Sequence, residues 1–171
     1  MGMKPKMLVL INSSTGLYDF RNELLSELSK SYCIVVSTPD SGKIDLIKKL
    51  GCEVIITPID RRGINPVVDL KLINNYRKII NKEKPDYILT YTIKPNIYGA
   101  FAGKLLRVKV CAMMAGMGYI FINDGMMARL VRKYYSLALR NVQHLMVLNK
   151  GNVQYLREHH FVEPSKIVWL K

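Results

Sequence analysis

Short runs of consecutive apolar residues alternate along the chain with longer stretches in which apolar residues recur every three or four positions. Met7–Ile11 is apolar throughout, as expected of a parallel strand buried on both faces. A Ser/Gly loop, Asn12–Gly16, follows. Helical spacing begins near Asp19, an expected N-cap, with Leu24, Leu25 and Leu28 on one face. Cys33–Ser37 predicts a second strand, Lys43–Leu50 a short helix stopped by Gly51, and Glu53–Thr57 a third strand. Asn65 and Pro66 read as a cap and a first-position proline. The helix they open runs to about Lys82, with Val67, Leu70, Ile73, Tyr76 and Ile80 as its apolar stripe. Tyr87–Tyr91 predicts a strand, Lys94-Pro95-Asn96 a turn and Ile97–Leu106 a helix; a lysine before proline is expected to be extended. Lys109–Met114 predicts a strand and Ala115–Asn123 a glycine-containing loop. A helix over about Gly125–Arg140, capped by Asp124, comes next. His144–Leu148, a helix Lys150–His159 behind the cap Asn149, and the strand Lys166–Leu170 close the chain. This is the pattern of one α/β domain, a doubly wound parallel sheet of about seven strands.

Charge adds a partner class. The chain has 26 basic and 13 acidic residues among 171, a net +13. That excess suits an anionic partner such as a phosphorylated substrate or an anionic membrane surface, or simply a solvated lysine-rich exterior. No RNP-like aromatic motif or helix-turn-helix signal supports nucleic acid. Cys33, Cys52 and Cys111 are far apart and form no CxxC pair. Reduced thiols and a cytoplasmic setting are the default for such cysteines. No apolar stretch is long enough to span a bilayer, so any membrane role is expected to be peripheral, on the inner face of the plasma membrane. No HExxH, GxSxG or GxxxxGK[ST] occurs, and neither a cofactor nor a metal is expected.

In open parallel sheets, ligands bind beyond the carboxyl ends of the strands. Those ends carry Gly16 after the first strand, Arg61 and Arg62 after the third, Lys94 and Asn96 after the fourth, and Gly116, Gly118 and Tyr119 after the fifth. Tyr18 and Arg21 open the first helix at the same edge. These ten residues are the candidate substrate-binding set. Each glycine has an alternative reading as a plain turn, and each cation as a solvated charge. A single glycine after the first strand does not make a GxGxxG cradle. Arg129, Arg132 and Lys133 share one face of the Gly125–Arg140 helix, beside an apolar stripe of Met126, Met127, Leu130, Tyr134 and Leu137. They are candidates either for an ordinary solvated face or for one lying on anionic lipid.

Four segments together, GLYDFR (Gly16–Arg21), PIDRRGINPVVDLK (Pro58–Lys71), EKPDYILTYTIKPNIYG (Glu83–Gly99) and AGMGYIF (Ala115–Phe121), resemble bacterial family 4 glycosyltransferases. The similar members build capsule, exopolysaccharide or lipid-linked glycans. The resemblance implies one Rossmann-like half of a GT-B enzyme: the N-terminal, acceptor-side domain, here residues 1–171. It implies that the donor-binding C-terminal domain, with its ExxxxxxxE motif, lies outside this chain, and that the end just after a strand is a cut within a longer protein. It implies a nucleotide-sugar donor, a lipid-linked glycan acceptor, retention of anomeric configuration and no metal. This half alone is expected to be inactive. The sequence departs from the family at Leu89, where relatives often have histidine, and at Met117, where they have leucine. No histidine stands after the fifth strand, so no catalytic residue is assigned. Two rival readings are half of a non-hydrolysing sugar-nucleotide epimerase and a membrane-recruiting, non-catalytic subunit of a split transferase.

Overall fold

The computed structural model describes residues 4–60, 65–117, 121 and 125–170. Its strands are β1 (Lys6–Leu10), β2 (Cys33–Thr38), β3 (Glu53–Ile56), β4 (Tyr87–Tyr91), β5 (Lys109–Met114), β6 (His144–Val147) and β7 (Ile167–Trp169). All pair in parallel, in the order β3-β2-β1-β4-β5-β6-β7. Among the described residues these helices alternate with them: α1 (Ser14–Ser31), α2 (Ile44–Lys49), α3 (Pro66–Glu83), α4 (Ile93–Leu106), α5 (Met126–Leu139) and α6 (Lys150–Glu158). The doubly wound α/β sheet of seven strands expected from the sequence is what forms.

The period-2 geometry of strands sends alternate residues to opposite faces. Val9, Val36, Leu89 and Met113 point to one side, where Leu17 and Leu25 of α1 and Ile47 of α2 cover them. Leu8, Leu10, Ile88, Ala112 and Leu145 point to the other, under Tyr76 of α3, Ala100 of α4, Leu139 of α5 and Leu156 of α6. Helix α4 sits closest to the sheet. A Cβ on Gly103 would lie 2.3 Å from a Val110 methyl, and one on Gly99 would lie 2.7 Å from a Thr90 methyl. Only bare backbone fits there.

Two helix starts differ from expectation. Helix α1 begins at Ser14 rather than near Asp19, because the Ser13 side chain accepts from the Gly16 amide and caps it. Helix α4 begins at Ile93 and absorbs Lys94-Pro95-Asn96, which is therefore not a turn, and Lys94 is not extended. Pro95 stands in the first turn, where amides have no intrahelical partner to lose. The expected caps Asn65 and Asn149 hold, each accepting from two amides of its helix. Gly51 has φ +84, the left-handed geometry expected after α2. The α3 stripe is displaced at its start. Asp69, Leu72, Tyr76 and Ile80 are buried there, whereas Val67 and Leu70 are exposed. The expected cap Asp124 lies outside the described residues.

Burial makes stability depend on alkaline pH. It pushes the Cys52 thiol up to about 11, and the Tyr91 and Tyr135 phenols up to about 12. These groups ionise earlier in the unfolded chain, so their contribution is complete below their ordinary range and is lost as pH rises through the folded values. The urea midpoint should therefore fall between about pH 8 and pH 10.5. An unchanged midpoint would contradict the burial of these groups.

Candidate functional site

The chain reverses its direction of travel through the sheet between β1 and β4, the switch point at which doubly wound sheets leave a crevice. A cavity of about 1340 Å³ opens there, beyond the carboxyl ends of β1, β4 and β5. Ile11–Ser13, Tyr91–Ile93 and Met113–Gly116 line its floor. Phe20 and Arg21 of α1, Leu70 and Ile73 of α3, Phe101 of α4, and Met127, Leu130 and Tyr134 of α5 form its walls. The walls are thus mostly apolar, with Arg21, Asp69 and Lys94 as the charged groups that line the cavity.

Asn96, in the first turn of α4, is wholly buried. Its Oδ1 accepts from Thr90 Oγ1 at 2.7 Å, and its Nδ2 donates to the Met113 carbonyl at 3.1 Å and to Tyr135 Oη at 2.8 Å. One amide thereby joins β4, β5, α4 and α5. These bonds saturate the side chain, so its expected contact with substrate is replaced by a supporting role beneath the cavity.

Lys94 lines the cavity but is not a free cation. Its Nζ donates to Asp69 Oδ1 at 2.9 Å, and the two side chains are 13% and 8% exposed. Tyr98 also bonds to Asp69; burial first, and then that bond, hold its phenol well above the ordinary range. Asp69 stands in the first turn of α3, where the helix dipole favours a negative charge. The Asp69–Lys94–Tyr98 cluster pins α3 to α4 along one wall.

Arg21 lies on the opposite wall and makes no carboxylate contact among the described residues; its Nη1 donates to the Phe20 carbonyl at 2.6 Å. Its charge acts on Tyr91, whose buried hydroxyl has no hydrogen-bond partner among the described residues. Burial raises the Tyr91 pKa and Arg21 opposes that rise. Gly16 and Gly116 also line the cavity. Neither has a positive φ, and a Cβ would meet only Ser13 at 3.6 Å in the first case and nothing within 4 Å in the second. Neither crowding nor backbone geometry requires glycine at these two places, and both leave main chain bare to the cavity. The Gly16 amide is itself engaged by Ser13 Oγ at 3.2 Å. Nearby, the first amide and the hydroxyl of Ser14 both donate to Asp40.

Tyr18 is not part of this site. It packs on the α2 side of the sheet, with Lys43 Nζ 5.5 Å from its ring centroid. Arg61, Arg62, Gly118 and Tyr119 lie outside the described residues. Arg129 is exposed, and Arg132 and Lys133 line a second hollow between α5 and α6. The cavity thus unites Gly16, Arg21, Lys94, Asn96 and Gly116 from three separate segments. Sequence reading missed Asp69, because an acid in a helix's first turn looks like ordinary dipole complementation. It also missed Tyr91, which looked like one more strand residue.

Thr92, at the cavity edge, has φ 69 and ψ 165, a region open almost only to glycine. Its carbonyl receives the first α4 amide bond, from Asn96 at 2.9 Å. Such a residue stores about 1–3 kcal/mol of strain. Thr92→Gly should therefore raise unfolding stability by about 1 kcal/mol after glycine's entropic cost. A lower urea midpoint for that variant would show that the threonine side chain outweighs the strain.

Many solved structures share the fold, among them the following three. A glycosyltransferase from Rickettsia africae aligns with TM-score 0.75 at 19% identity, over 98% of this chain and 43% of its own. An Anabaena protein solved with UDP and glucose aligns with TM-score 0.72 at 13% identity, over 97% and 44%. A UDP-N-acetylglucosamine 2-epimerase from Rickettsia bellii aligns with TM-score 0.71 at 15% identity, over 97% and 44%. The chain therefore spans less than half the length of each. No curated protein matches it in sequence. The family model described as glycosyl transferase 4-like matches residues 6–149. That match covers most of the chain, including β1 through β6 and every described wall of the cavity, and the chain belongs to the glycosyl transferase 4-like family.

Proposed function

We propose that this domain forms the acceptor side of a configuration-retaining glycosyltransferase that moves a sugar from a nucleotide-sugar donor to a lipid-linked glycan, without metal or cofactor. The observation that carries the reading is the composition of the switch-point cavity. A phosphorylated lipid carrier has a polar head and a hydrocarbon tail. Helix α1 supplies Arg21 and bare backbone at Gly16, and the end of β5 supplies bare backbone at Gly116. The walls supply Phe20, Leu70, Phe101, Met127 and Leu130. Phe20, Leu70 and Met127 remain largely exposed at the rim, where an acyl or prenyl chain would cover them. The UDP of the Anabaena structure and the UDP-sugar in the Neisseria meningitidis epimerase support a nucleotide-sugar donor. No helix among the described residues is long and apolar enough to cross a membrane, so a lipid-linked acceptor calls for a peripheral position at the bilayer surface. Surface polysaccharide synthesis is the setting that this chemistry suits.

The test is transfer of labelled sugar by the full-length protein from a panel of nucleotide sugars to a polyprenyl-diphosphate-linked acceptor. Transfer, with Gly16→Leu abolishing it while leaving the fold intact, is the expected result. An altered free sugar nucleotide in the absence of any acceptor would establish the epimerase reading instead. The described cavity offers a single carboxylate, Asp69, already bound to Lys94 and Tyr98, which is poor provision for the acid–base pair that epimerisation needs.

A further inference from the structure

A helix on the outside of a sheet normally keeps a polar stripe toward solvent, and α4 does not. Between Lys94 and Lys104 it carries no charged residue. Toward the sheet it presents Gly99, Ala100 and Gly103, and the two glycines leave no room for a Cβ. Its outward line is Tyr98, Phe101 and Leu105, each about one turn from the next. Leu105 is 63% exposed. A helix that is apolar on every side is normally covered on every side.

Because α4 is sunk toward the sheet, α3 and α5 stand above it as banks. Leu70 and Ile73 of α3 and Leu130 and Tyr134 of α5 line the same opening as Tyr98 and Phe101. The main cavity thus continues away from the strand ends as a trough over α4. From Ile93 to Leu105 the trough runs about 18 Å. Neighbouring helices pack about 8–10 Å apart, so the banks stand roughly 16–20 Å apart, and a helix about 10 Å wide can lie over α4 between them. A bilayer is too flat to enter such a trough, and a single hydrocarbon chain is too narrow to touch both banks.

The banks carry one sign of charge. Lys71, Arg77 and Lys78 of α3, Lys104 of α4, and Arg129 and Lys133 of α5 are all exposed. The carboxylates of these three helices are Asp69, paired with Lys94, and Glu83, paired with Lys6. A second copy of this chain would set cation against cation across the trough. The complement of the trough is an apolar stripe bordered by acids.

We infer that the trough over α4 receives an amphipathic helix of a partner protein, about three turns long, with apolar residues on Phe101 and Leu105 and acidic residues toward the cations of α3 and α5. Seated there, it closes the long side of the cavity and leaves the mouth beside Phe20, Arg21 and Met127 open. The inference does not rest on the transferase reading, because the trough is a docking surface whatever the cavity holds.

The probe is a labelled synthetic peptide of about 14 residues, with leucines spaced three and four apart and glutamates on both borders. Fluorescence anisotropy reads its binding to the chain, and circular dichroism reads the helix it gains. Saturable binding with a gain of helix is expected. The same peptide with lysine for glutamate, or with serine for leucine, should not bind. Leu105→Glu and Leu130→Glu change exposed positions, so their urea midpoints should match the parent's. Each should weaken binding roughly tenfold, because each removes an apolar contact and adds a like charge. Arg77→Ala with Lys104→Ala should weaken it roughly fivefold, whereas Lys48→Ala with Lys49→Ala on α2, across the sheet, should leave it unchanged. Equal binding of the serine peptide, or equal loss from the α2 pair, would show attraction by charge alone and overturn the assignment. Unchanged binding by both glutamate variants would place the peptide elsewhere and overturn it too. Sedimentation and vesicle flotation of the chain without peptide address the rival occupants. A dimer, or vesicle binding, that is lost in Leu105→Glu would give the trough to a second copy or to a bilayer and end the proposal. Peptide binding is read without turnover, so this inference and the transferase reading can fail separately.

Discussion

Replacing Asn96 with alanine should destabilise the domain by about 4 kcal/mol, enough to remove much of the stability of an ordinary domain. The substitution deletes three hydrogen bonds in a region closed to water and strands Thr90 Oγ1, the Met113 carbonyl and Tyr135 Oη. Each stranded buried group costs about 1–3 kcal/mol. The isosteric Asn96→Asp separates bonding from packing. The aspartate keeps the volume and can still accept from Thr90, but it turns an acceptor toward the Met113 carbonyl. Both variants should therefore unfold at much lower urea than the parent. An Asp variant of normal stability would mean that the cost of alanine lies in its cavity and that the hydrogen bonds matter little.

The second large effect concerns Lys94 and Asp69. Removing one partner of a buried ion pair leaves an uncompensated charge and typically costs about 3–5 kcal/mol. With side chains 13% and 8% exposed, this pair falls toward the lower part of that range. Lys94→Met should therefore cost about 3 kcal/mol. Adding Asp69→Asn removes the stranded charge but keeps an oxygen to accept the Tyr98 bond. The double variant should recover most of the lost stability. Chemical denaturation of the parent, both single variants and the double variant closes the cycle. Additive losses would show that the pair is not coupled and that Lys94 is available to other partners. For the transferase proposed above, loss of acceptor turnover in the double variant, which is expected to fold, would show that the cluster serves the cavity as well as the fold.

Element type was legible wherever burial was two-sided. The β4 and β5 runs, Tyr87–Tyr91 and Lys109–Met114, coincide with their predicted bounds because both faces of each strand are covered. Helix starts were less legible where side-chain chemistry outside the periodic stripe sets them. Ser13 caps α1 through a hydroxyl that looked like loop composition. Lys94-Pro95-Asn96 is helical despite the proline, because the Asp69–Lys94 pair and the three Asn96 bonds hold that turn in place. The α3 stripe was misjudged for a related reason. Val67 and Leu70 are apolar but exposed, and Leu70 lines the open cavity, so the usual equation of apolar with buried fails at the site itself. Of the candidate site, the strand-end positions were readable because parallel sheets place ligands there. The roles were not. Spacing cannot reveal that Lys94 already has a carboxylate, that Asn96 points into the protein, or that Tyr18 packs beside Lys43 rather than into the cavity.

The Asp40 carboxylate on the first turn of α1 has a consequence for any phosphorylated ligand. A helix start normally offers its unpaired amides to anions. Here that socket is already plugged by the protein's own acid, and a diphosphate laid across it would meet repulsion where it needs donors. The compensating positive charge must then reach the ligand from the side, from Arg21 about two turns further along the same helix.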